Sequence, residues 1–143
     1  MTDIFELILL LKSSPVFEQV ATEDLRYVAQ AMEPESYLGG ERIFDINENG
    51  DYMYLVQNGR IGISLNEDPT AKEFVAELGP GECFGEMNLL DDLPRSATAH
   101  VLEDSNLLSL EKGQLRRLII HYPELAMGML KGLSLRLRDT NLK

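Results

Sequence analysis

Cysteine is nearly absent from the 143 residues. Cys83 stands alone, which excludes an intramolecular disulfide and a thiolate-ligated metal. Beside a glycine-rich turn it reads as a small buried hydrophobe rather than a redox sensor. Histidine is almost as scarce. His100 and His121 lie far apart in the sequence, so neither a His–carboxylate metal cluster nor a Ser-His-Asp or Cys-His set can be assembled, and no catalytic residue is expected. Basic residues are sparse through most of the chain. Residues 1–110 carry 6 Lys/Arg against 21 Asp/Glu, whereas 111–143 carry 7 against 3. That acidic bulk argues against direct contact with nucleic acid, and any affinity for an anion must come from local groups. Long apolar runs are missing too. Ile4–Leu11 is short, interrupted by Glu6, and lacks a basic leader or a small-residue cleavage site. It predicts a packing helix, with no signal peptide and no membrane partner, and a reducing cytoplasm as the compartment.

Neither repeats nor low-complexity segments are evident, and the length suits one domain over residues 1–143. Three zones divide it. Residues 1–35 read as helical: Asp3–Leu11, a break at Ser13-Ser14-Pro15, then a second helix with Thr22 as N-cap and Leu25, Val28, Ala29 and Met32 at helical spacing until Pro34. Residues 36–110 read as short strands between turn signals. Asn58-Gly59 predicts a tight hairpin joining Tyr52–Gln57 to Arg60–Leu65. Tyr54, Val56, Ile61, Ile63 and Leu65 alternate as strand residues on one face would, and Gly62 marks a bend or a close approach. The expected fold is mainly β with flanking helices: a jelly-roll-like barrel (a double-stranded β-helix) between an N-terminal helical segment and C-terminal helices. Residues 111–143 return to helix, with Gln114–His121, a break at Tyr122-Pro123 and a long final helix from Glu124. There Ala126, Met129, Leu130, Leu133 and Leu137 form an apolar stripe, and Gly128 and Gly132 would let another helix approach. The stripe reads either as packing on the barrel or as a dimer seam or switch helix.

Phe84-Gly85-Glu86-Met87-Asn88-Leu89-Leu90, then Asp91-Asp92-Leu93 and Pro94-Arg95-Ser96-Ala97-Thr98, carries most of the chemistry. Backbone N–H groups opening a short turn can face a small anion, and a guanidinium can close over it from the other side. Gly85 permits close backbone approach, Met87 and Asn88 offer N–H groups, and the Glu86 carboxylate can accept from a sugar hydroxyl. Arg95 reads as a phosphate ligand or, in the plainer alternative, as a surface ion pair with Asp91 or Asp92. Glu86 could equally be a helix-terminal acid. The Asn88 amide could add a bond or crowd the site.

This cassette resembles the cyclic-nucleotide-binding domains of catabolite-activator-type regulators, regulatory subunits of cyclic-AMP-dependent kinase and cyclic-nucleotide-gated channels. Phe84, Gly85, Glu86, Met87, Leu89, Leu90, Pro94, Arg95, Ser96, Ala97 and Thr98 follow the family pattern in order, and Asn88 departs from its usual Ala, Ser or Gly. Gly40–Phe44 and Gly50–Arg60 resemble the family's first barrel strands. The resemblance implies a ligand site at Gly85, Glu86, Met87, Asn88, Arg95, Ser96 and Ala97. The Arg-Ser-Ala run tilts towards cyclic AMP, with cyclic GMP possible and no metal. It also implies that Ile63, Val75 and Leu78 line sugar and base, and that Thr140 and Asn141 lie near the base. No room follows the final helix for a helix-turn-helix. The expectation is therefore a sensor module without its own effector, acting through a homodimer contact of the C-terminal helix or an unidentified effector protein. The alternative is a domain of the same fold, unresponsive to nucleotide, that serves docking or oligomerisation.

Overall fold

A computed structural model describes residues 3–142. Two N-terminal helices, α1 (Ile4–Lys12) and α2 (Thr22–Ala31), precede six strands: β1 (Glu33–Tyr37), β2 (Arg42–Phe44), β3 (Tyr52–Ser64), β4 (Ala76–Leu78), β5 (Cys83–Phe84) and β6 (Thr98–Glu111). A single 3-10 turn, Glu86–Leu89, lies between β5 and β6, and α3 (Lys112–His121) and α4 (Pro123–Leu142) close the chain. The sheet is antiparallel, ordered β1-β6-β3-β4, with β2 also on β6 and β5 also on β3. Jelly-roll character is present, but the sheet does not close into a barrel.

Its frame is the pairing of two long strands, β3 and β6, which run against each other from Tyr52↔Glu111 to Ser64↔Thr98. Side chains alternate along them and both faces are buried. Met53, Leu55, Leu108 and Leu110 face a helical core with Leu11, Leu25, Val28, Leu115 and Leu125, while Tyr54, Val56, Ile61, Ala99, Val101 and Leu107 fill the roll. A strand covered on both sides loses the simple inside–outside pattern, which is why Tyr52–Val56 is apolar almost throughout.

Asn58-Gly59 is not a hairpin. Its flanks pair with different stretches of β6, Tyr52–Val56 with residues 107–111 and Arg60–Ser64 with residues 98–103. Gly59 (φ 101°) instead forms a bulged corner in one continuous strand, where a Cβ would lie 2.6 Å from Ser105 Cα. Leu65 falls past the strand end and is exposed. At Gly62 the close-approach reading holds, because a Cβ would meet the Phe74 ring at 2.9 Å.

The helix ends differ in detail. Asp3 caps α1 by accepting from Phe5 N–H. Thr22 is the first residue of α2 rather than its cap; the preceding Ala21 takes that place through its carbonyl, which accepts from Asp24 and Leu25. Pro34 does not end α2 but sits in β1, at an edge of the sheet where a missing N–H is tolerated. Pro123 opens α4, its lost donor being one the first turn does not use.

The α4 stripe is rotated from expectation. Leu125, Gly128, Met129 and Gly132 are buried, whereas Leu130 and Leu137 are exposed. The two glycines admit not another helix but the α1–α2 connection: a Cβ would stand 2.8 Å from Val20 Cα at Gly128 and 2.5 Å from the Pro15 carbonyl oxygen at Gly132. Gly132→Ala is therefore expected to destabilise by about 1–3 kcal/mol despite its better helix propensity. A lowered urea midpoint at unchanged slope would show it.

Candidate functional site

The turn signals around Asn47 fold back onto the segment before β6. Arg95 N–H donates to the Glu48 carbonyl (2.7 Å), and its own carbonyl accepts from Asn47 N–H (2.8 Å). The backbone of Arg95 is thus fastened on both sides. Its side chain turns inward and is 3% exposed. Nη2 donates to the Tyr52 carbonyl (2.8 Å), and Nη1 to Asn88 Oδ1 (3.2 Å) and, more weakly, to the Gly85 carbonyl (3.4 Å). The guanidinium lies 3.9 Å from the centre of the Phe44 ring. Nε is buried without an acceptor.

Among the described residues no carboxylate pairs with Arg95. Asp92, the alternative partner, bonds Lys112 Nζ at 2.8 Å, and the same ammonium donates to the Asp91 carbonyl. The surface ion-pair reading therefore fails. Burial lowers the proton affinity of this guanidinium, although an arginine so placed keeps its charge. A buried cation without a paired carboxylate is costly, and here the three acceptors, the Phe44 ring and the more distant charges of Glu48 and Asp51 offset that cost only in part.

Phe84, stacked on Tyr54 at 5.2 Å, ends β5, and Gly85 then takes a left-handed φ of 77° to start the 3-10 turn. The N–H of Asn88 bonds back to the Gly85 carbonyl, while those of Glu86 and Met87 have no backbone acceptor among the described residues. Asn88 borders the opening, but its side chain is bonded on both sides. Its Nδ2 donates to the Leu93 carbonyl (2.7 Å) and its Oδ1 receives Arg95, so it ties the loop to the guanidinium. Glu86 pairs with Arg136 of α4 at 3.8 Å.

A cavity of about 220 Å³ opens here, and Gly85, Glu86, Met87, Asn88, Arg95, Ser96 and Ala97 all border it. The residues singled out from sequence are therefore brought together. Ile63 borders it as well, but Val75 is exposed and does not line it, and Leu78, half-buried, packs against the roll's apolar cluster and borders a separate surface hollow. Thr140 is exposed on α4 and its hydroxyl donates to the Arg136 carbonyl; the side chain of Asn141 lies outside the described residues. Sequence reasoning missed the aromatic wall of Phe44 and Phe84 and the supporting Tyr52 carbonyl. Phe44 ends the Gly40–Phe44 run, and only its pairing with Ala99 places it here. Cys83 packs against the helical core, where burial pushes its thiol up to about 12, so it is an inert thiol at neutral pH.

No group of three or more His, Cys, Asp or Glu among the described residues could hold a metal, and no helix there is long and apolar enough to cross a membrane.

Residues 34–122 match the family model for the cyclic nucleotide-binding domain. The cyclic AMP receptor protein of Thermus thermophilus is 35% identical over 133 residues, which cover 93% of this chain and 62% of that protein. The chain thus spans about three-fifths of the length of such relatives. Among solved structures, the N-terminal domain of a transcriptional regulator from Streptomyces coelicolor superposes with a TM-score of 0.82 at 30% identity, covering 92% of both chains. The regulatory domain of Toxoplasma gondii PKA, solved with cAMP, superposes with a TM-score of 0.74 at 26% identity, covering 82% of this chain and 46% of that one.

Proposed function

The chain belongs to the cyclic nucleotide-binding domain family, and on that premise we propose that residues 1–143 act as one regulatory module that binds cyclic AMP and catalyses nothing. The observation that carries this reading is Arg95, a buried guanidinium with no carboxylate partner among the described residues and an unused Nε. A cyclic phosphate supplies the missing charge. It accepts from Nε–H and from the second N–H of Nη2, and the free N–H groups of Glu86 and Met87 approach it from the turn. The Glu86 carboxylate accepts from the ribose hydroxyl, and the apolar walls of Phe44, Ile63 and Phe84 take the rest of the ligand. Ser96 at the rim and the ligands named for the relatives favour cyclic AMP over cyclic GMP. The cavity is smaller than the about 300–1,000 Å³ usual for small-molecule sites, so binding widens it by moving the Gly85–Arg95 segment.

That movement reaches α4 through Glu86. The ribose hydroxyl and Arg136 compete for one carboxylate, so ligand loosens the ion pair and frees the final helix. The exposed side chains of Met127, Leu130 and Leu137 then meet a second copy or an effector chain, in the cytoplasm. A ligand shifts that equilibrium only by its differential affinity for the two arrangements. Arg136→Ala should tighten cyclic AMP binding a few-fold, as expected for removing a half-exposed ion pair that holds the empty state. Weaker binding would make Arg136 a ligand contact instead.

Titration calorimetry with cyclic AMP and cyclic GMP tests the function. Saturable heat with cyclic AMP bound more tightly is expected. Heat with neither nucleotide at millimolar concentration would leave the docking or oligomerisation reading, to which the small cavity lends its only support.

A further inference from the structure

Gly50 has no conformational reason to be glycine. It is absent from the residues of positive φ, which among the glycines are Gly40, Gly59, Gly81 and Gly85. What forbids a side chain there is Arg95. A Cβ on Gly50 would stand 2.0 Å from Arg95 Nε, 2.3 Å from Cζ and 2.7 Å from Nη2. Meanwhile the Phe44 ring centre lies 3.9 Å from Cζ. The same turn fastens the Arg95 backbone through Asn47 and Glu48. We propose that Gly50 and Phe44 are positioning residues that clamp the Arg95 guanidinium between a bare backbone and an aromatic ring, holding Nε buried and ready for the anion.

This inference rests on the phosphate reading of Arg95 but adds a cause for it. A guanidinium without a carboxylate partner would otherwise swing out to water, where its charge is solvated. Three carbonyl-type acceptors hold its Nη atoms. The clamp covers the remaining edge without satisfying its donors, since a π-face and a Cα–H take no N–H bond of ordinary strength, so the anion reaches Nε only once the Gly85–Arg95 segment shifts. A carboxylate in the same place would hold the side chain equally well but would cancel the charge that the ligand needs.

Gly50→Ala should therefore evict the guanidinium, which is the far end of a flexible side chain and can leave, while the backbone stays as it is. Affinity for cyclic AMP is expected to fall at least about tenfold, the scale for losing one partner of a buried charged contact. The melting temperature without ligand should hold or rise, because a desolvated cation returns to water. A purely structural glycine would lower stability instead. The second readout needs no ligand: in nitrogen-15-labelled protein the Arg95 Nε–H resonance is expected upfield from the Phe44 ring current. Phe44→Leu should remove that shift, Phe44→Tyr should keep it, and Gly50→Ala should expose the proton to rapid exchange. An unmoved resonance in both Phe44→Leu and Gly50→Ala, or undiminished cyclic AMP affinity in Gly50→Ala, overturns the clamp. Should the unaltered protein take up no cyclic AMP, the nucleotide reading fails, while the resonance still decides whether the clamp exists.

Discussion

Arg95→Lys is expected to weaken cyclic AMP binding by about 2–5 kcal/mol, the range for losing a buried, hydrogen-bonded charge partner. An ammonium has three donors on one atom, whereas a guanidinium has five spread over a plane. Arg95 already spends Nη donors on Tyr52, Asn88 and Gly85 and still has Nε free. Lysine cannot hold three separated acceptors and an anion together. The fold should hardly notice, because the hydrogen bonds lost to those acceptors are offset by releasing a cation that has no counter-charge. Calorimetry reads the affinity directly. Melting curves give an independent check, since ligand at free concentration L stabilises the unaltered protein by RT ln(1 + L/Kd) and so raises its melting temperature, whereas that of the variant should stay in place at the same ligand concentration. Equal affinity in the two proteins would remove Arg95 from the site.

Phe17→Ala is expected to cost about 3–5 kcal/mol, enough to lower the melting temperature by about 10 °C or more. Among the described residues Phe17 is the largest side chain fully removed from solvent, and it lies in neither helix nor strand. With Val16 and Val20 it anchors the α1–α2 connection in the helical core, where Leu11, Leu25 and Leu125 also pack. The carbonyls of that connection meet Gly128 and Gly132 of α4. Alanine there leaves a cavity at the junction of three helices, and the connection is too tightly bonded through Ser14 to collapse into it. Loss of less than about 1 kcal/mol would show that the helices pack without it.

These two residues mark what sequence could and could not show. The proximity of the cassette residues was legible because they are near in sequence: Gly85 to Arg95 spans one turn and one loop, and Gly85, Glu86, Met87, Asn88 and Arg95 border one cavity. The cassette's support was not, because Gly50, Tyr52 and Phe44 come from 43 to 51 positions earlier and reach Arg95 only through the pairing of strands. Asn88 is a similar case. As a departure from the family pattern it signalled that something differs, but only its bonds to Leu93 and Arg95 say what.

Two errors have a common cause. Asn58-Gly59 carries a real turn signal, since a left-handed glycine serves a bulged corner as well as a hairpin. Which of the two forms is decided by the partner strand, and β6 is 40 or more residues away. On α4 the periodic leucines pointed to a face that leaves Leu130 and Leu137 exposed, and the closest approach is set by Gly128 and Gly132, which carry no hydrophobic signal. Where burial is on both faces, as in β3, alternation also vanishes from the sequence. Local chemistry survives translation into a linear pattern better than long-range packing does.

Central to all of this is the unused Nε–H of Arg95. Following the Arg95 Nε–H resonance during addition of cyclic AMP tests it most directly. A downfield shift that saturates with one ligand per chain is the predicted result, as a phosphate oxygen becomes its acceptor. Ligand uptake with that proton unmoved would place the anion elsewhere and contradict the account.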